Sequence, residues 1–94
     1  MDQNLQAKLL LYLLPYQPVR IGVFGSFARG ENKLESDLDI LITFKDRISL
    51  LKLVQIEQAL SDELGIQIDL VTENSLKNPR LKKSIEKDLI TIYE

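Results

Sequence analysis

The sequence predicts an α/β fold, with a small mixed β-sheet of three to four strands and helices packed against it. Short aliphatic runs alternate with longer leucine-rich segments of helical spacing, and proline or glycine separates most of them. The chain has 94 residues, 45% of them apolar, which suits one ordinary globular domain. We therefore expect residues 1–94 to form a single domain.

The predicted elements alternate between helix and strand along the chain. Residues 4–14 are rich in leucine and predict a helix, with Asp2 or Asn4 as its N-cap and Pro15 as its end. A second long helix is predicted at Ser49–Leu64, with Gly65 at its C′ position. Strands are expected at 19–24, 37–44 and 66–72, a turn at 26–30, a polar loop at 31–36, a breaker at Pro79, a short helix at 80–88 and an edge strand at 89–93.

The leucines of the first helix are expected to pack in the core. The alternative is a face for a membrane or a partner, but Gln6 and Lys8 on the other faces favour the core. The run Leu9–Leu14 is far shorter than the roughly 20 apolar residues that cross a bilayer, and the N-terminus does not resemble a signal peptide. We expect a cytoplasmic protein that binds no membrane.

Composition narrows the chemistry that is available. The chain has no cysteine and no histidine, which excludes disulfides, thiolate metal sites and the commonest general base. Any metal must be held by oxygen, and this favours hard cations such as Mg²⁺. The net charge of −2 gives no sign of a surface for a phosphate backbone, so direct nucleic-acid binding is not expected.

Three aspartates are candidate metal ligands. Asp37 and Asp39 begin the second strand and point to the same face, because side chains alternate along a strand; their Cβ atoms are about 6.5–7 Å apart. Asp69 lies in an apolar run, IQIDLVT, where a buried strand ordinarily has an apolar residue. If the second and third strands are neighbours in register, Asp69 joins this face. Three converging carboxylates suit Mg²⁺ and suit zinc poorly.

A glycine-serine turn precedes the acids. Gly25 at a strand end allows a ligand to approach the backbone, and Ser26 offers a hydroxyl and a backbone N–H. If residues 26–29 begin a helical turn, their free N–H groups favour an anion. Arg29 either contacts phosphate or braces the loop against a carboxylate, and Gly30 lets the chain turn away. The stretch is neither a Walker A sequence nor a GxGxxG fingerprint.

Phosphate donors beside carboxylates describe a site for a nucleoside triphosphate with Mg²⁺, in which Asp69 is a plausible proton acceptor. Taken singly, each part has a simpler explanation: a solvated strand end, a common turn pair, or a loop cap at Ser36. The aromatic residues are expected to pack or to lie at the rim rather than to stack on a nucleotide. The basic tail is expected to be a solvated helix face, with a docking surface for a partner or for RNA as the alternative. These residues are Tyr12, Tyr16, Phe27 and Tyr93, and Lys77, Arg80, Lys82, Lys83 and Lys87.

The motif resembles the signature of the DNA polymerase beta-like nucleotidyltransferases. Gly25-Ser26-x-x-Arg29-Gly30, followed by Ser36-Asp37-x-Asp39, is similar to the minimal nucleotidyltransferases (MNT), which are antitoxins of HEPN/MNT toxin–antitoxin pairs. The likeness extends over nearly the whole chain, including its tail.

The resemblance implies a nucleotidyltransferase fold and a role for each motif residue. Gly25 and Ser26 would hold the triphosphate, Asp37 and Asp39 would bind Mg²⁺, and Asp69 would complete the triad as ligand and base. Arg29, Gly30 and Ser36 match the motif. It further implies transfer of AMP from ATP to a tyrosine of a cognate HEPN-domain RNase toxin, which silences the toxin.

Two rival functions remain open from sequence. The first is a non-catalytic antitoxin that masks its toxin by complex formation, which small size, exposed leucines and the basic tail would also suit. The second is transfer to a small molecule or an RNA end, and the missing acceptor domain and the lack of basic charge count against it. Homo- or hetero-oligomers are compatible with either.

Overall fold

One mixed sheet of four strands forms the centre of the computed structural model, which describes residues 1–94. The spatial order is β3-β2-β1-β4, and only β2 and β3 are parallel. The strands are β1 (Pro18–Phe24), β2 (Leu38–Phe44), β3 (Ile68–Thr72) and β4 (Ile90–Tyr93). The helices are α1 (Gln3–Leu13), α2 (Ser26–Arg29), α3 (Leu50–Leu64) and α4 (Pro79–Asp88), with short 3₁₀ turns at Leu14–Tyr16 and Glu73–Ser75. The predicted α/β fold and the edge strand at the C-terminus are confirmed.

Local signals account for where the long helices begin and end. The Asp2 carboxylate accepts hydrogen bonds from the N–H groups of Asn4 and Leu5, which confirms it as the N-cap of α1. The Ser49 hydroxyl accepts from the Lys52 N–H, and Gly65 ends α3 in the left-handed conformation at φ 68°. Pro79, expected to act only as a breaker, stands at the first position of α4, where its missing N–H costs nothing.

The main core lies on one face of the sheet, beneath α1 and α3. Ile21 and Val23 of β1 pair with Ile42 and Ile40 of β2, so four aliphatic side chains form a continuous surface. The helices add four buried residues to the same cluster: Leu9, Leu13, Ile56 and Leu60. This confirms core packing for part of the first helix, although Leu11 is 79% exposed.

The opposite face of the sheet is only partly covered. Leu41 is buried there, and Gly22 lies so close to Leu89, just after α4, that a Cβ on Gly22 would touch the Leu89 side chain. α4 itself contributes the buried Ile85. The acidic residues lie on this face, at the end where β2 and β3 begin.

Two further expectations can be compared with the structure. The predicted solvated face of the tail is confirmed, because all five basic residues from Lys77 to Lys87 are exposed. Tyr12, Tyr16 and Phe27 pack against the core, as expected, while Tyr93 is 38% exposed. None of the helices has the length and apolar character needed to cross a membrane.

Leu60→Ala should lower the free energy of unfolding by about 2–5 kcal/mol, because Leu60 is fully buried between α3 and the sheet. Leu51→Ala is the matched control on the same helix, where the side chain is 70% exposed and the change should stay within about 0.5 kcal/mol. Urea denaturation followed by circular dichroism measures both. Equal losses in the two variants would contradict the assigned core.

Candidate active site

Parallel pairing of β2 and β3 brings two acidic residues together. Asp39 and Asp69 are directly paired positions on the two strands, so their side chains leave the same face of the sheet. Asp37 immediately precedes β2 and is exposed, as is Asp69, whereas Asp39 is half-buried. The register that sequence predicted for Asp69 is therefore confirmed.

Asp39 is the electrostatic centre of this group. Its pKa is raised to about 6, first by burial and then by the negative charges of Asp69 and Asp37, with a hydrogen bond to Asp69 adding to the rise. The positive charge of Arg29 acts in the opposite direction. The ionised form of Asp39 is thus destabilised by the neighbouring negative charges, and a cation bound at this point would offset the repulsion.

Gly25 lies directly against the Asp39 carboxylate. A Cβ built on Gly25 would collide with the Oδ2 atom of Asp39, and the backbone of Gly25 has φ 75°, which disfavours every residue with a side chain. β1 ends at Phe24, the residue paired with Asp39, so the glycine turn must pass over the acidic group. This position requires glycine for both conformation and space.

The turn after Gly25 is a single turn of helix, α2. Ser26 is its first residue, where backbone N–H groups have no partner within the helix. Gly30 ends α2 in the left-handed conformation at φ 71°, and its N–H donates to the carbonyls of Phe27 and Ser26. The predicted helical turn at residues 26–29 is confirmed, and it places Ser26 next to the residue that touches Asp39.

Arg29 is held by carboxylates of this chain. Its Nε lies 3.1 Å from Glu31 Oε2, and its Nη1 lies 2.7 Å from Asp88 Oδ2, which raise its pKa further. In this arrangement Arg29 braces the turn, which is the second of the two roles predicted for it. Asp88, at the end of α4, had no signal in the sequence, because no motif connects it with a residue 59 positions earlier.

Ser36 closes the loop that leads into β2. Its hydroxyl accepts a hydrogen bond from the Lys33 N–H at 2.7 Å, and its own N–H donates to the Lys33 carbonyl at 3.1 Å. This geometry is the loop cap foreseen as the simpler explanation for Ser36.

The donor chemistry of the acidic group fits a hard divalent cation. The side chains offer only carboxylate oxygens, and Asp39 is destabilised by its acidic neighbours in the way that a bound cation would reverse. Even so, no group of three or more acidic side chains is gathered closely enough to form a ready-made metal cage. Asp37, Asp39 and Asp69 are neighbours, and their closer convergence remains a prediction.

The acidic group lies on an open surface rather than in a cavity. Two clefts of about 430 and 300 Å³ lie at the opposite end of the sheet, around Phe44, Asp46 and Ile48. A third cleft, of about 520 Å³, is lined by Phe27, by residues 32–36, which directly precede Asp37, and by residues 65–67, which directly precede β3. Asp37 and Asp69 are therefore open to solvent rather than enclosed by this chain.

Asp39→Asn should stabilise the protein near pH 7 in the absence of divalent cations. Because the pKa of Asp39 is raised, the folded state holds this proton more tightly than the unfolded state does. The resulting stability is fully present below about pH 4 and is lost as the pH rises through about 6. The variant should gain on the order of 1–2 kcal/mol at pH 7.5, after allowance for solvent screening, and nothing at pH 4. Paired thermal melts of the two proteins measure the difference, with the exposed Asp46→Asn as control. A gain that does not change with pH would contradict the assignment.

A family model described as the nucleotidyltransferase domain matches residues 7–92 of this chain. A protein named as a candidate protein adenylyltransferase in Methanocaldococcus jannaschii is 57% identical over 77 residues, which cover 82% of this chain and 79% of that protein. Protein adenylyltransferase MntA of Thermococcus cleftensis is 43% identical over 72 residues, covering 77% of this chain and 72% of that protein.

Solved structures resemble the fold closely. One described as a minimal nucleotidyltransferase is 38% identical, with a TM-score of 0.74, and the match covers 93% of this chain and 87% of that one. A toxin–antitoxin structure with AMP-PNP has a TM-score of 0.85 at 22% identity, covering 94% of this chain and 72% of that one. A tri-AMPylated HEPN toxin in complex with MNT antitoxin, from Shewanella oneidensis, gives 0.81 at 21% identity, with 99% and 72% covered. This chain therefore belongs to the nucleotidyltransferase domain family, and it is an enzyme of that class.

Proposed function

We propose that this chain transfers AMP from ATP to a tyrosine hydroxyl of a cognate HEPN-domain RNase toxin, and that this modification neutralises the toxin. The observation that carries the proposal is the pairing of Asp39 with Asp69 directly beside Gly25. Relatives at 57% and 43% identity are named for protein adenylyl transfer, which supports a protein acceptor.

Different residues of this chain would bind the triphosphate and the metal. Gly25 and Ser26 would receive the triphosphate, since the turn exposes backbone N–H groups and has no side chain at position 25 to exclude it. Asp37, Asp39 and Asp69 would hold Mg²⁺. When bound, Mg²⁺ would stabilise the negative charge on the attacking oxygen and on the leaving pyrophosphate. Arg29, tied to Glu31 and Asp88, would keep the turn in place.

The reaction is an in-line displacement at the α-phosphorus of ATP. The tyrosine oxygen forms a new bond to that phosphorus, the bond to the β-phosphate oxygen breaks, and pyrophosphate leaves. Asp69 would accept the phenolic proton, because it is exposed on the open side of the site while Asp39 lies deeper. Products are the AMP–tyrosine ester, pyrophosphate and one proton.

Masking without catalysis is the second candidate, and one surface favours it. Leu50, Leu51 and Val54 on α3 are exposed by 75, 70 and 48%, and they lie at the end of the sheet away from the acids. A partner that bound there would leave the acidic group free. Such binding would neutralise the toxin whether or not AMP is transferred.

Incubation with labelled ATP, Mg²⁺ and the HEPN protein of the adjacent gene should label the toxin on tyrosine. The rate should fall more than about 100-fold in each of Asp37→Asn, Asp39→Asn and Asp69→Asn. Loss of a residue that only hydrogen-bonds to a metal ligand costs about 10- to 100-fold, and loss of a direct ligand should cost more. Asp46→Asn is the matched control and should retain the wild-type rate, since it lies at the other end of the sheet. Mass spectrometry identifies the modified residue.

An unlabelled toxin, or equal labelling by wild type and Asp39→Asn, would contradict the catalytic proposal. If the Asp39→Asn, Asp69→Asn double variant still suppresses the toxin's RNase activity at equal concentration, masking is the mode of neutralisation.

Millimolar Mg²⁺ should raise the melting temperature of the wild-type protein at pH 7.5 and should not raise that of Asp39→Asn. The physical reason is that a cation bound by the folded state alone adds stability by mass action, and it also removes the repulsion around Asp39. Differential scanning fluorimetry with and without EDTA measures the effect, and NaCl of matched ionic strength is the control. An equal Mg²⁺ response in both proteins would contradict the ligand assignment.

A further inference from the structure

The loop between α2 and β2 exposes one aliphatic side chain beside the acidic group. We call residues 31–36 the rim loop; in it Leu34 has 106% of its reference surface exposed, more than any other large apolar residue of the chain. A fully exposed leucine adds nothing to the core, and its burial by a partner would be favourable.

The rim loop is closed by hydrogen bonds around Leu34. Lys33 and Ser36 exchange two of them, from the Lys33 N–H to the Ser36 hydroxyl and from the Ser36 N–H to the Lys33 carbonyl. Leu34 therefore lies at the tip of a closed turn. Because the turn is already closed, little conformational entropy is lost when a partner binds this side chain.

The rim loop is continuous with the acidic group. Ser36 directly precedes Asp37, and the Leu38 N–H donates to the Gln67 carbonyl at 2.8 Å, so the segments leading into the two acidic strands are tied together. The cleft of about 520 Å³ lies between these segments and is lined by Phe27, Leu34 and Ile66 among others. A chain lying in this cleft would bring its next residues to Asp37 and Asp69.

The charges around the cleft disfavour a nucleic acid. Lys33 and Glu35 are the charged residues that line the cleft, so it has no excess of positive charge, and the chain as a whole has a net charge of −2. Glu35 is exposed and makes no ion pair. Binding sites for single-stranded RNA combine a positive groove with several stacked aromatic residues, whereas this cleft has one aromatic residue, Phe27, and one positive side chain, Lys33.

We propose that the rim loop binds the protein segment that flanks the acceptor hydroxyl, with Leu34 as the anchor for an aliphatic or aromatic side chain of that segment. This inference rests on the proposed function and specifies its partner surface. It assigns acceptor recognition to a residue outside the glycine-serine and aspartate motif.

Leu34→Ser should raise the KM for the HEPN acceptor about 10- to 100-fold, with the KM for ATP and the melting temperature unchanged. Leu34→Met should restore most of the affinity, because an unbranched apolar side chain can fill the same space. Leu11→Ser is the matched control: Leu11 is 79% exposed on α1, away from the rim loop. Steady-state labelling at varied acceptor and at varied ATP gives the two KM values separately.

The outcomes separate this inference from the proposed function. Failure of the wild-type protein to label the acceptor would overturn both. Normal wild-type transfer with an unchanged acceptor KM in Leu34→Ser would overturn only the role of Leu34. A raised KM in Leu51→Ser, but not in Leu34→Ser, would place the acceptor interface on α3 instead. Wild-type labelling of RNA rather than protein would overturn the choice of partner.

Discussion

The whole site depends on one unfavourable contact, the side-by-side placement of Asp39 and Asp69 on parallel strands. The pairing of β2 with β3 buries Leu38, Ile40, Ile68 and Leu70 on the core face, and this burial fixes the register in which the two aspartates meet on the other face. A slip of one residue would turn the apolar side chains outward, so the hydrophobic core holds the like charges together. Burial first, and then this repulsion, raise the pKa of Asp39.

The remainder of the site is built around that contact. Gly25 supplies the backbone turn that can pass over Asp39, and Arg29 supplies a positive charge that opposes the rise in the pKa of Asp39. Arg29 is itself held by Asp88, so the last turn of α4 fixes the loop after β1. β4 follows directly and pairs with β1. The C-terminal segment is therefore part of the support for the glycine turn.

Sequence predicted the parts of this structure that depend on local signals. The helix ends at Asp2 and Gly65 and the outward place of Asp69 follow from short-range chemistry and strand alternation. The link between Arg29 and Asp88 joins positions 59 residues apart, and no pattern in one sequence specifies such a contact. No group of three acidic side chains lies close enough to form a ready-made metal cage, so the convergence of Asp37, Asp39 and Asp69 on a cation stays a prediction.

The division of the sheet into two faces explains how a domain of 94 residues can tolerate aspartates that repel one another. The main core lies under α1 and α3, and none of its side chains belongs to the acidic face. Changes to the acids therefore act through electrostatics and leave the packing intact. The same separation applies to the rim loop, because Leu34 makes no contribution to the core. Leu34 can therefore change without loss of core packing, whereas Gly25 cannot change, because both its conformation and its contact with Asp39 exclude a side chain. The sheet and the glycine turn thus fix the place of the acidic group, and the recognition that we propose for Leu34 lies on a side chain that the core does not constrain.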